Sequence, residues 1–139
     1  AVKGHASDGH QFIDTAIDSG AGIIVCETLP EQIKETVTYI TVKDSAFALG
    51  IMASNFYDNP SAKVKLVGVT GTNGKTTTAT LLFQLFSRLG YRCGMLSTVV
   101  NKIVDKEVPA THTTPDPIQL NALLQEMVKA NCTHVFMEV

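Results

Sequence analysis

The sequence predicts an α/β chain whose second part is a doubly wound, mainly parallel sheet, and three observations carry that prediction. Apolar runs of strand length alternate with longer segments whose apolar residues recur at helical spacing. A glycine-rich turn, Val69-Thr-Gly-Thr-Asn-Gly-Lys-Thr-Thr77, separates one such run from one such segment. A dense breaker cluster, Asp58-Asn59-Pro60-Ser61, divides the chain into a shorter first part and a longer second part.

The first part reads β-α-β-β-α. Ala1 to Gly4 resembles the tail of a strand. A helix is expected from about Gly9 to Ser19, with Phe12, Ile13, Ala16 and Ile17 on one face, and Gly20 ends it. Ile23 to Cys26 is a short buried strand, and Val37 to Val42 alternates enough to be another. Asp44 then caps a helix reaching about Tyr57.

The second part reads as strand 65–70, loop, helix 76–89, strand 91–97, a hairpin over 98–108, loop, helix 117–130 and strand 133–138. Gly90 stops the first helix. Asp116 caps the second, and Pro117 takes its first position, where a missing N–H costs little. Leu120, Leu123, Leu124, Met127 and Val128 form its buried stripe. Strands alternating with helices imply parallel pairing, and ligands of such sheets bind at the carboxyl ends of the strands.

Composition narrows the function classes. The 139 residues are 45% hydrophobic and 17% charged, with net charge −2. No basic run points to nucleic acid, and no apolar stretch is long enough to insert into a membrane. The N-terminus lacks a basic stretch followed by an apolar segment, so the cytoplasm is the default location. Cys26, Cys93 and Cys132 are odd in number and form no CxxC pair, which reads as small core residues in a reducing compartment. Val135 to Val139 reads as a strand with nothing after it, so a piece of a longer protein is expected.

The turn at 69–77 carries the chemistry. The P-loop expression is G-x-x-x-x-G-K-[ST], and Gly74-Lys75-Thr76 fits its end while Val69 stands where the first glycine belongs. Gly71 and Gly74 supply positive φ angles and leave the amides open to oxygen anions. The following helix points its positive end at the same place. Lys75 should reach the β- and γ-phosphates, and the Thr76 hydroxyl should sit on Mg²⁺.

A P-loop by itself leaves kinase, GTPase, ATPase and ligase open. Guanine is read by N-K-x-D, and Asn101-Lys102-Ile103-Val104-Asp105 places its aspartate one residue late. On a strand that slip turns the carboxylate to the opposite face, so guanine specificity is unsupported.

The altered loop T-G-T-N-G-K-T-T, Thr70 to Thr77, resembles that of the Mur ligases and their relatives the folylpolyglutamate synthases. "AVKGHASDGHQFIDTAIDSGA", Ala1 to Ala21, resembles the uridine-nucleotide-binding N-terminal domain of the Mur ligases that add the third residue or the terminal dipeptide. "HTTP", His112 to Pro115, is similar to a segment contacting the muramoyl substrate in the branch that adds the third residue of the peptide. "FMEV", Phe136 to Val139, is similar to a strand that continues there as Glu-Val-Ser-Ser-His.

The resemblance covers essentially the whole chain, and its implications are specific. Residues 1–60 would be part of a UDP-sugar-binding domain and 61–139 part of a central ATP-binding domain, with the C-terminal amino-acid-binding domain outside the chain. Gly71, Thr72, Asn73, Gly74, Lys75, Thr76 and Thr77 would bind ATP, with Lys75 catalytic. His5, Ala6, Ser7, His112, Thr113 and Thr114 would contact substrate, and Thr76 and Glu138 would hold Mg²⁺.

The implied reaction joins meso-diaminopimelate or L-lysine to UDP-MurNAc-L-Ala-D-Glu through an acyl phosphate, in peptidoglycan synthesis. In the family a second metal is held by a carbamylated lysine and a histidine, which would lie past Val139, so the 139 residues alone are expected to be inactive. The alternatives are the dipeptide-adding ligase, a folylpolyglutamate synthase, or a nucleotide-binding regulatory module without catalysis. The remaining histidines read as structural: His10 as a surface residue, His134 packed in or beside the sheet.

Overall fold

The computed structural model describes residues 1–4, 7–109 and 116–139. The chain divides into two compact units, Ala1–Met52 and Ala53–Val139, with the division falling inside one helix.

In the first unit, a 3-10 turn at Gly9–Phe12 leads into α1 (Ile13–Asp18), followed by β1 (Ile23–Cys26), β2 (Thr38–Thr41) and the start of α2 (Ser45–Phe56). β1 and β2 pair in parallel, Ile23 opposite Thr38 through Cys26 opposite Thr41. Ile13, Ile24, Cys26 and Val37 form the small core beneath them. The expected first strand is absent: Lys3 makes only an isolated antiparallel bridge to Asp8. The Gly4 amide donates to Ser7 O at 3.0 Å and the Gly9 amide to Val2 O at 2.9 Å, so these local contacts take the backbone groups a ladder would need.

α2 is capped twice. Asp44 Oδ1 accepts from the Phe47 amide at 2.8 Å, as its position before the helix predicts. Glu27 Oε1, from the end of β1, accepts from the Ser45 amide and hydroxyl at 2.9 and 2.8 Å.

The second unit contains β3 (Lys65–Val69), α3 (Lys75–Arg88), β4 (Cys93–Leu96), β5 (Val100–Ile103), β6 (Lys106–Pro109), α4 (Pro117–Lys129) and β7 (His134–Glu138). The sheet runs β3-β7-β4-β5-β6. β3, β7 and β4 are parallel, and the hairpin expected over 98–108 extends them antiparallel as β5 and β6. The sheet is therefore mixed, with its parallel part on the side of the glycine-rich turn.

Helices cover both faces. α3 packs Ala79 and Phe83 against Cys93, Met95 and Phe136. α4 packs Leu124 and Met127 against Leu96, Ile103, Cys132 and Val135. Neighbours on one strand serve opposite cores, Val135 one and Phe136 the other, as period-two alternation requires of a strand buried on both sides. Within the α4 stripe, Leu124 and Met127 are fully buried and Leu120 and Leu123 pack beside them, while Val128 is only half-buried. All three cysteines are free and buried.

Candidate phosphate-binding site

Val69 ends β3 opposite Glu138, which ends β7, so the turn leaves the sheet beside a carboxylate. Gly71 has φ 144° and Gly74 φ 78°, both in the region that side-chain-bearing residues avoid. Gly74 is the N-cap of α3, and Thr78 N donates to Gly74 O at 2.9 Å to start the helical ladder. The first amides of a helix have no intrahelical acceptor and face what precedes the helix, here the turn itself.

A cavity of about 230 Å³ opens at this place, lined by Thr72, Asn73, Gly74, Lys75, Thr76, Thr77 and Glu138. Its walls are mostly polar donors around one ammonium and one carboxylate. Lys75 Nζ donates to Gly71 O at 2.7 Å, so the cation lies over the loop. Thr76 Oγ1 donates to Glu138 Oε2 at 2.9 Å, joining two residues 62 positions apart. The same oxygen accepts from Thr98 Oγ1 at 3.2 Å and from Thr98 N at 3.3 Å. Partial burial pushes the Glu138 carboxyl up, but the Thr98 amide, the two hydroxyls and the Lys75 charge outweigh it and hold the group below the ordinary carboxylate range. A hydroxyl and an ionised carboxylate on one oxygen-rich wall suit a hard divalent cation, and the amides and ammonium suit the phosphates it accompanies.

Two family models fit this chain. One, described as the Mur ligase middle domain, matches residues 69–139, and the other, described as Mur ligase family, catalytic domain, matches residues 1–57. The chain belongs to the Mur ligase family.

Over its full length this Mur ligase chain is 67% identical to a UDP-N-acetylmuramoyl-L-alanyl-D-glutamate--2,6-diaminopimelate ligase of Cytophaga hutchinsonii. It is 55% identical to the protein of that name from Bacteroides fragilis. It spans 29% of the length of each. A solved structure of a UDP-N-acetylmuramoyl-L-alanyl-D-glutamate--2,6-diaminopimelate ligase matches with TM-score 0.77 and 27% identity, over 93% of this chain and 26% of that one. The MurF ligase of Thermotoga maritima, solved in complex with ADP, matches with TM-score 0.56 and 26% identity, over 99% of this chain and 27% of that one.

The Mur ligase fold brings Thr72 to Thr77 and Glu138 around one cavity, with Gly71 at its edge through Lys75. Ser7 is exposed in the first unit, its carbonyl accepting from Gly4. His5, Ala6, His112, Thr113 and Thr114 lie outside the described residues. Thr98 is not legible in the sequence as a member of the site. Its signal is positional only: Ser97-Thr98 follows β4 at the carboxyl end of the sheet, where ligands gather.

Two other readings need correction. His10 is no surface residue. Its Nδ1 lies 2.6 Å from Asp8 Oδ1 and its Nε2 accepts from the Glu27 amide at 2.9 Å, tying the 3-10 turn to the end of β1. Asp105 stands in the β5–β6 turn, not on a strand, so its face cannot be argued from strand alternation. Guanine reading still finds no support, because Asn101 is buried with its Oδ1 accepting from Ser97 N, and Lys102 pairs with Glu107 at 2.8 Å. His134 packs as expected, buried against the Phe86 and Tyr91 rings.

No helix among the described residues is long and apolar enough to cross a membrane.

Proposed function

We propose that the protein carrying this chain is an ATP-dependent amide ligase that adds meso-diaminopimelate to UDP-MurNAc-L-Ala-D-Glu during peptidoglycan synthesis in the cytoplasm. One observation carries the chemistry: the turn after β3, the start of α3 and the end of β7 converge on a single cavity, with Thr76 bonded to Glu138 across it. The names of relatives at 53–67% identity, which are called diaminopimelate ligases, support this choice of substrate. The ADP bound by the Thermotoga maritima MurF ligase supports an adenine nucleotide as the ligand of this loop.

In this reading residues 1–60 belong to the UDP-sugar-binding domain and 61–139 to the ATP-binding domain. His5, Ala6, Ser7, His112, Thr113 and Thr114 contact the UDP-linked substrate.

The chemistry starts from a carboxylate, a poor electrophile. Transfer of the γ-phosphoryl group turns it into an acyl phosphate, and the incoming amine displaces phosphate through a tetrahedral intermediate. The chain's own task is positioning and charge neutralisation. The amides of Gly71 to Thr77 hold the phosphate oxygens, and Lys75 leaves Gly71 O to meet the charge on the transferring group. Thr76 and Glu138 would hold Mg²⁺, which supplies further neutralisation of that charge.

The test uses the full protein with ATP, Mg²⁺, UDP-MurNAc-L-Ala-D-Glu and either meso-diaminopimelate or L-lysine, with product followed by mass spectrometry. Amide product with diaminopimelate is the expected result. Product with L-lysine alone would move the protein to the sister specificity. ATP binding with no amide product from either amine would leave a regulatory module as the better reading.

A further inference from the structure

Glu138 Oε2 accepts from two separate elements. Thr76 donates from the start of α3, and Thr98 donates through both its hydroxyl and its amide from the β4–β5 connection. The loop motif assigns Thr76, whereas nothing in it assigns Thr98. We propose that Thr98 is a positioning residue that holds the Glu138 carboxylate in the orientation in which it receives Mg²⁺, an inference that rests on the site reading given above.

The connection is built as a rigid turn. Ser97 N donates to the buried Asn101 Oδ1 at 3.2 Å, and Ser97 Oγ donates to Val100 O at 2.7 Å. The same hydroxyl accepts from the Val99 and Val100 amides at 3.3 and 3.1 Å. Residues 97–101 are thus closed on themselves by side chains of their own, one of which, Asn101, is only 3% exposed. Thr98 stands on this frame with two donors directed at one carboxylate oxygen.

The roles of the two threonines differ. The Thr76 hydroxyl is carried by the glycine-rich loop and the start of α3, so its hold on the carboxylate follows how that side chain turns when a cation and phosphates bind. Thr98 belongs to an element outside the phosphate loop, and one of its donors is backbone. Its contacts therefore do not depend on how Thr76 turns. A carboxylate held before the cation arrives loses less rotational freedom on binding it, which lowers the Mg²⁺ concentration the site needs.

The test is calorimetric titration of ADP into the full protein at stepped Mg²⁺ concentrations, for the parent, Thr98→Val and Thr98→Ser. Thr98→Val keeps the size and the amide but removes the hydroxyl. Its Mg²⁺ midpoint for ADP binding is expected to rise about five- to tenfold, while ADP affinity without Mg²⁺ stays within about twofold of the parent. Thr98→Ser is expected to restore the parental midpoint. An unmoved midpoint in Thr98→Val, or failure of Thr98→Ser to restore it, overturns the proposal. So does an equal loss of Mg²⁺-free ADP binding together with a lowered unfolding temperature, which would make the role purely structural. A parent whose ADP binding ignores Mg²⁺ overturns the site reading and this inference together, so the parent separates the two failures.

Discussion

Lys75 sits where two demands meet. Its backbone opens α3, and its side chain folds back so that Nζ reaches Gly71 O across the turn it must also serve. An ammonium held by a single carbonyl is readily exchanged for a triphosphate, which offers several stronger acceptors. Lys75→Ala in the full protein is expected to cut phosphate release by at least about a hundredfold, because the transferring group loses its main protein cation. The unfolding temperature should hardly move, since the side chain covers no core. Phosphate release at the parental rate would place the reaction elsewhere. His10 shows the opposite situation at the same scale. Alone in the sequence it looks like a solvated ring, but it accepts an amide from a segment 17 residues away.

Helix ends and strand crossings carry the stability predictions at the scale of elements. Glu27 holds the first amide of α2, and its carboxyl lies below its ordinary value of 4.5 chiefly through the Ser45 amide and then the Ser45 hydroxyl. A depressed carboxyl stabilises the fold only when ionised. Its contribution is complete above the ordinary value and is lost as pH falls through the lower, folded-state value. Glu27→Gln should therefore flatten the fall in unfolding temperature between about pH 5 and pH 3, leaving a neutral cap that no longer titrates. An identical pH profile for parent and variant would show that the contact does not hold in solution. On the other unit, Gly94 in β4 lies beneath α4, where a Cβ would stand 2.4 Å from Met127 Sδ. Gly94→Ala is expected to destabilise by about 1–3 kcal/mol, since Met127 is fully buried and has little room to move. Denaturant unfolding of Gly94→Ala, Met127→Ala and the pair should show favourable coupling between them. Strict additivity would mean that the helix, not the side chain, yields.

For the whole molecule, the chain spans 29% of the length of the diaminopimelate ligases it matches, so the proposed reaction is one of the full protein. Given ATP, UDP-MurNAc-L-Ala-D-Glu and meso-diaminopimelate, the isolated 139 residues are expected to yield no amide where the full protein does. Amide formed by the short chain would show that these 139 residues suffice for the reaction.

The residues by themselves determined what is local. Period-two and helical spacing set the strands and helices, Asp44 and Asp116 set helix starts by accepting amides two or three residues on, and two glycines set a turn that only positive φ allows. These depend on neighbours within a few positions, so they can be read along the chain. The tertiary structure alone decided that β7 inserts between β3 and β4, which sets the Glu138 carboxylate in the wall of the cavity at the glycine-rich turn, a place that only the family resemblance had implied for it. It also decided that Thr98 reaches the same oxygen from 40 residues away. Strand order is chosen by how two apolar faces are buried at once, a property of the assembled sheet that no short stretch of sequence contains.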